Sequence, residues 1–296
     1  MGWPNQSRAG LRGRGALLVL AVVAVLPLPA GAQTRGMERR QERRRAATEQ
    51  YPDLSWRLQN PLARILVLPT SAEYRKGGGP FGEGEVFSIR FAPRVPFVLN
   101  EDWHVISKTD LAWVSQDEIA VGEQEGLSDL IQTFFFSPDR SIAWDLYWGA
   151  GPSFVLPTAS DDFLGTEKFS MGPTFAVFRQ REDWTAGLTL SHVWSVAGPD
   201  GVPDVSLSRV EPVVAYTAPT STTIALGAEL TYDWENEIWR GPLTFRVSQL
   251  TLIRERPIQW GVGLEYYAMD DDDNEHDWGA FLQFSFPLES PRWGGR

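Results

Sequence analysis

Charged residues recur inside otherwise apolar, strand-like segments of this 296-residue sequence, and they are the residues best placed to do chemistry. In each segment the apolar residues occupy every second position, so the charges share the opposite face of a β-strand. On a lipid-facing surface, an Arg or Lys near the bilayer midplane would cost about 2–4 kcal/mol, so these side chains must point to water or to one another. The set predicted to line a lumen is Arg90, Arg94, Lys108, Asp110, Asp129, Asp145, Glu229, Arg246 and Glu265.

Both signs of charge occur in this set, which leaves two arrangements open. The side chains either line a wet passage with a mixed electric field or pair across the lumen and fill it. A barrel of about twelve strands has intermediate width, because about eight strands are filled by side chains whereas roughly sixteen to eighteen leave an aqueous channel. Width alone therefore does not decide between the two arrangements.

Catalysis and metal binding have one candidate each. His192 is accompanied in sequence by Ser191 and Ser195, but adjacent strand residues point to opposite faces, so we predict an interfacial histidine and no catalytic residue. The acidic run 270–277 offers the oxygen ligands that calcium prefers, yet it lacks the glycine and terminal glutamate spacing of a calcium loop. We predict a solvated outer loop there, and no metal or cofactor.

The elements that must position these residues are strands. Residues 224–234 alternate strictly, with Ile224, Leu226 and Leu230 on one face and Gly227 and Glu229 on the other. Segments of this kind, near the roughly 9–11 residues that cross a bilayer, are joined by connections that alternate between short and long. Strands are predicted at 63–74, 85–98, 102–115, 127–137, 141–156, 169–179, 183–195, 204–217, 222–234, 240–253, 257–268 and 277–288. The pattern predicts an all-β protein, a transmembrane antiparallel up-and-down β-barrel over residues 61–288, with its short turns facing the periplasm.

Tryptophans collect near the predicted strand ends, as they do at the two interfaces of a bilayer. In a soluble β-sandwich most of them would instead sit mid-strand in the core. The predicted interface residues are Trp103, Trp113, Trp144, Trp184, Trp194, Trp234, Trp239, Trp260 and Trp278.

The chain outside the barrel indicates export. Three arginines precede an apolar run at 16–28 and small residues at 30–32, which predicts a secretory signal peptide at 1–32. Residues 33–60 are rich in Arg and Glu and are predicted to form a periplasmic arm, and 289–296 a C-terminal tail. The sequence has no cysteine, and its net charge of −11 argues against a nucleic-acid partner. The expected partners are outer-membrane lipid, a small-molecule solute and the outer-membrane assembly machinery.

Several longer motifs resemble a known family. They are QNP at 59–61, PFVLNEDW at 96–103, GLSD at 126–129, FFFSP at 134–138, WGAGP at 148–152, LPTASDD at 156–162, GP at 172–173, HVWSVAG at 192–198 and YDWE at 232–235. Together they resemble the bacterial outer-membrane proteins called the MetA-pathway of phenol degradation family.

The resemblance implies an outer-membrane β-barrel that passes small, aromatic or hydrophobic compounds, and it supplies no catalytic residues. Two other functions stay open from the sequence. One is an outer-membrane lipid-modifying enzyme, and the other is a non-conducting structural or adhesive barrel.

Overall fold

The computed structural model describes residues 52–79, 82–120, 122–254, 256–267 and 276–288. Within these residues it contains a short α-helix, α1 (Pro52–Arg57), two single-turn 3-10 helices (Ala143–Asp145 and Asp162–Leu164) and sixteen strands in one antiparallel sheet. The strands are β1 (Leu66–Gly77), β2 (Glu85–Phe91), β3 (Arg94–Val98), β4 (Trp103–Ala120), β5 (Gly122–Leu127), β6 (Leu130–Pro138), β7 (Leu146–Leu156), β8 (Phe169–Arg181), β9 (Trp184–Ala197), β10 (Ser206–Thr217), β11 (Thr222–Ala228), β12 (Leu230–Asp233), β13 (Ile238–Arg240), β14 (Leu243–Ile253), β15 (Arg256–Tyr266) and β16 (His276–Leu288).

The sheet closes on itself. Strand β11 pairs with both β10 and β14, and β1 pairs with β16 from Leu66↔Leu288 to Gly77↔His276. The circumference is β11-β14-β15-β16-β1-β2-β4-β6-β7-β8-β9-β10, which is twelve strands, and the four short strands extend or interrupt them. The predicted twelve-stranded antiparallel barrel is confirmed.

Two prolines explain why single predicted strands appear as two. Strands β2 and β3 keep one register against β4 but are interrupted at Pro93, and β13 and β14 are interrupted at Pro242, which lies opposite Glu229. Proline has no N–H to give to the ladder, which removes a hydrogen bond at each interruption, although Pro69, Pro152 and Pro212 stay inside paired strands. The backbone N–H of Glu229 still donates to Pro242 O (3.0 Å), which holds the wall together at the interruption.

Two predicted boundaries were wrong. The predicted loop 116–126 is mostly a hairpin, because β4 runs on to Ala120 and pairs with β5. Strand β7 begins at Leu146, whereas the sequence placed a strand from 141. Trp144 and Asp145 have φ values of 64° and 58°, a left-handed conformation that cannot continue a strand.

The wall alternates between an apolar outer face and a small or polar inner face. In β8 the buried inner residues include Ser170, Thr174 and Gln180, while Phe175 points outward and is exposed. The outer face carries two bands of aromatic residues. Trp184 with Tyr216 belongs to the end with short turns, and His192, Trp194, Tyr232, Trp234, Trp239, Tyr266 and Trp278 belong to the end with long loops.

Residues 54–65, here called the lumen segment, follow the start of α1 and enter the barrel at its short-turn end. Leu62 is 2% exposed and packs in a cluster with Ile106, Phe135, Ala176 and Phe178 from the inner face of the wall. Leu58 and Ile65 form a second cluster with Val67 and Leu250. The sequence assigned residues up to 60 to an arm outside the barrel, whereas Ser55, Leu58 and Asn60 are buried within it.

Several predicted segments lie outside the described residues: the signal peptide at 1–32, the arm up to residue 51, the acidic run except His276 and Asp277, and the tail at 289–296. In the described part of the chain, no helix has the length and apolar character needed to cross a bilayer.

Candidate functional site

The barrel interior contains two consecutive chambers. The outer chamber has a volume of about 820 Å³ and reaches the long-loop residues Gly79, Phe163 and Arg240. The inner chamber has a volume of about 320 Å³ and ends on Leu58 and Gln59 of the lumen segment. Seven charged residues line both chambers and are here called the charged ring: Glu73, Arg90, Lys108, Asp110, Glu211, Glu229 and Glu265.

Arg90 contacts two carboxylates of the charged ring, one of them across the lumen. Its Nε lies 2.7 Å from Asp110 Oδ1 on the neighbouring strand, and its Nη1 lies 3.5 Å from Glu229 Oε2. Glu229 follows β11, which is five strands away from β2 around a barrel of twelve. The bridge therefore joins nearly opposite sides of the wall and narrows the space between the chambers.

Acids outnumber bases in the charged ring, with five carboxylates against Arg90 and Lys108. Glu73 accepts hydrogen bonds from Ser71 Oγ (2.7 Å) and Ser88 Oγ (3.5 Å). Tyr267, which follows β15, donates to Glu265 Oε2 (3.1 Å). Arg209 Nη1 of the outer chamber lies 3.9 Å from Glu211 Oε1, so charges of both signs alternate around the lumen.

The lumen segment is anchored to the wall by polar contacts as well as by its apolar clusters. Asn60 Nδ2 donates to Gln180 Oε1 (3.2 Å), and Gln180 Nε2 donates to Trp56 O (2.8 Å). On another side of the barrel, Arg246 Nη2 donates to Gln59 Oε1 (3.1 Å). Contacts to β8 and β14 together hold the segment across the short-turn end of the lumen.

His104 supports the same segment from β4. Its Nε2 lies 3.0 Å from Leu62 O, and its Nδ1 lies 2.8 Å from Asp139 Oδ1. Asp139 also forms an ion pair with Arg64. No role for His104 was predicted from the sequence, because its partners are a backbone carbonyl and a turn residue that only the folded barrel brings together.

Eight of the nine charged residues predicted to face a lumen line the chambers. Arg94 and Arg246 lie in the inner chamber alone, Asp129 lies in the outer chamber alone, and the other five belong to the charged ring. Asp145 lies in neither chamber. It occupies the exposed turn before β7, where its left-handed backbone carries it away from the strand.

Asp129 has a second role, which its predicted position on the inner face of a strand did not indicate. Asp129 lies between β5 and β6, where the register of pairing against β4 shifts by one residue. Its carboxylate accepts four hydrogen bonds from the loop at 157–168. The donors are Thr158 N, Ala159 N, Thr166 N and Thr166 Oγ1, at 2.7–3.1 Å. This carboxylate fixes the loop beside the outer chamber.

His192 does meet a serine, but one that the sequence could not indicate. Ser208 lies opposite His192 in the β9–β10 pairing, and its Oγ lies 2.9 Å from His192 Nδ1. Ser208 Oγ also accepts from Trp234 Nε1 (2.8 Å). Among the described residues no hydrogen bond orients the second ring nitrogen of His192, which a catalytic Ser-His pair requires.

The described residues contain no group of three or more His, Cys, Asp or Glu side chains arranged to hold a metal ion. The predicted interface tryptophans are exposed on the outer face at Trp103, Trp184, Trp194, Trp234, Trp239, Trp260 and Trp278, and Trp113 is half-buried. Trp144 is 77% exposed in the turn before β7, beyond the end of the wall strand. Their position at a lipid interface stays a prediction.

A closed antiparallel wall, apolar outside and polar inside, defines the class of fold as a transmembrane-type up-and-down β-barrel. Among solved structures, the chain is similar to an outer membrane channel from Pseudomonas putida F1, with a TM-score of 0.60 and 13% sequence identity over 76% of this chain and 96% of that chain. It is also similar to the NanC porin, with a TM-score of 0.45 and 13% identity over 75% of this chain and 99% of that chain.

At these identities the likeness establishes the fold alone. Neither a protein-family model nor a curated protein matches the sequence. Membership of the phenol-degradation family therefore stays a prediction.

Proposed function

We propose that this chain is an outer-membrane channel through which small compounds pass without an energy source. One observation carries the proposal: two chambers of about 820 and 320 Å³ follow one another inside a closed barrel and meet at the charged ring. A structural barrel would have no use for such internal volume. The 13%-identical outer membrane channel from Pseudomonas putida F1 supports the fold on which this proposal depends.

The proposal also includes the location of the protein and the solutes that it passes. Residues 1–32 act as a secretory signal peptide, the assembly machinery of the outer membrane inserts the barrel, and the exposed outer face contacts lipid. The transported solutes are small aromatic or hydrophobic compounds, as the family resemblance implies. The narrow cross-section at Arg90 and Glu229 favours small solutes over sugars of several units.

Planar-bilayer recording tests the proposal directly. Purified full-length protein, refolded in detergent and shown by circular dichroism to be β-rich, is expected to give discrete conductance steps and to let phenol equilibrate across proteoliposomes. A correctly folded barrel with neither conductance nor solute flux would refute the channel and favour a structural or adhesive barrel.

A second experiment tests which class of solute is transported. A deletion strain and its complemented parent are compared for uptake of phenolic compounds, sugars and amino acids. Uptake of phenolics is expected to fall in the deletion strain and to return on complementation. A loss of uptake confined to sugars would contradict the proposal that the transported solutes are aromatic.

A further inference from the structure

Two arginines of the inner chamber form no ion pair with any carboxylate of the residues that the structure describes. Arg94 on β3 forms no ion pair with any described residue, and Arg246 on β14 donates to the amide oxygens of Gln283 (3.2 Å) and Gln59 (3.1 Å). Both arginines line the same chamber of about 320 Å³. Glu229 also lines it, but Arg90 Nη1 already lies 3.5 Å from Glu229 Oε2.

Two further donors, on residues that line this chamber, have no hydrogen-bond partner in the described part of the chain. The Nε atom of Arg246 and the Nε2 atom of Gln259 are buried without a hydrogen bond to any described group. Gln259 is only 8% exposed, and its side chain lines the chamber. Buried donors and unpaired cations are costly unless something accepts their hydrogen bonds and balances their charge.

The rest of the chamber wall contains the charged ring, which also lines the outer chamber, several hydroxyl and amide side chains, and a group of apolar residues. Phe178, Val213 and Phe281 face the same space as the two arginines. Its volume of about 320 Å³ lies at the lower end of the roughly 300–1,000 Å³ of small-molecule sites. The chamber thus brings two arginines that form no ion pair with a described carboxylate, together with apolar side chains, within reach of one small molecule, and the charged ring lies between it and the outer chamber.

We propose that the inner chamber is a binding site for a small organic carboxylate with an apolar or aromatic body, held by Arg94 and Arg246. A planar guanidinium group binds a planar carboxylate through two parallel hydrogen bonds, and the apolar side accommodates the body of the ligand. Chloride has no body to bury, and phosphate has no apolar part. The inference deepens the proposed function, on which it rests for the route by which a ligand reaches the chamber.

Calorimetric titration of the full-length barrel in detergent tests the site, with benzoate as the probe and benzamide as its neutral counterpart. A titration of empty micelles corrects for partition of benzoate into detergent. Benzoate is expected to bind at one site, at least about tenfold more tightly than benzamide, chloride or phosphate, because only it satisfies both sides of the chamber. Equal affinity for benzamide or for phosphate would overturn the proposal.

Matched substitutions locate the site. Arg94→Gln and Arg246→Gln are each expected to weaken benzoate binding about tenfold, since each removes a charge-assisted contact. Arg179→Gln, a change of the same type at an exposed arginine of β8 outside both chambers, is expected to leave it unchanged. Unchanged affinity in both chamber variants would refute the assignment, and circular dichroism identifies any variant that fails to fold.

The wild-type discrimination between benzoate and benzamide is decisive even if a variant does not fold. Binding and conduction are measured separately. A barrel that binds benzoate but conducts nothing would refute the channel and support the site, whereas a conducting barrel indifferent to benzoate would refute the site alone.

Discussion

The lumen segment lies across the short-turn end of the barrel, and Leu62→Ala is the change that tests most directly whether it closes the lumen there. The Leu62 side chain is 2% exposed and lies against Ile106, Phe135, Ala176 and Phe178. An ideal Cβ on Gly149 would lie 2.9 Å from Leu62 Cδ2, so the wall has been left without a side chain where the leucine approaches. Truncation removes a well-packed contact on which the seating of the segment depends.

The magnitude follows from the burial. Replacing a buried leucine by alanine costs about 2–5 kcal/mol. Since each 1.4 kcal/mol changes an equilibrium about tenfold, the fraction of molecules with the segment displaced rises about 30-fold at the lower end of that range. Displacement joins the inner chamber to the short-turn end, and the channel then conducts.

Single-channel recording measures the effect as the fraction of time spent in the conducting state. Leu62→Ala is expected to raise that fraction at least about 30-fold over wild type, provided that wild type is closed most of the time. The control is Leu226→Ala, which removes an outward-facing leucine that is 62% exposed and is expected to leave gating unchanged. Identical open fractions in Leu62→Ala and wild type, with both barrels folded, would refute the assignment of the segment as a closure.

Three further outcomes are expected. Glu229→Gln removes one of five acids in the charged ring, so the reversal potential in a KCl gradient is expected to shift toward anion permeation; an unchanged potential would contradict the ring as the selectivity region. Asp129→Ala removes four hydrogen bonds from the loop at 157–168, so limited proteolysis is expected to cut this loop faster, and equal rates would refute its role as an anchor. Ser208→Ala is expected to leave any phospholipid hydrolysis by the purified barrel unchanged, because His192 lacks an orienting partner among the described residues; lost activity would establish an enzyme.

The wall was predictable from the sequence because its pattern is local. Alternation in a segment such as 224–234 fixes which side chains share a face, and the turns between segments fix the order of the strands. The interruptions at Pro93 and Pro242 were not readable from proline alone, since Pro152 and Pro212 stay inside paired strands of the same wall. The hairpin of β4 and β5 was missed because its residues past 116 are mostly polar on both faces, so no alternation marks them.

The interior was less predictable, because it depends on closure. The alternation of apolar and polar residues indicated that Arg90 and Glu229 point inward. Only the curvature of the complete barrel brings Arg90 Nη1 and Glu229 Oε2, from nearly opposite strands, to a distance of 3.5 Å. Residues 54–60 of the lumen segment were assigned to an arm because 33–60 are rich in Arg and Glu, and residues 63–65 were assigned to the first strand. The spacing of Leu58, Leu62 and Ile65 was the available signal, and it predicts a buried face only once a cavity exists to receive it.

The covalent connection between the lumen segment and the wall has a mechanical consequence. Ile65 is followed without a linker by Leu66, the first residue of β1, and β1 pairs with β16 where the first and last wall strands meet. Tension on the segment is therefore transmitted to the pairs Leu66↔Leu288 and Val67↔Pro287. Complete withdrawal would fray the junction that makes the sheet a cylinder, so the range of travel is limited to what residues 54–65 can achieve by pivoting about a fixed end.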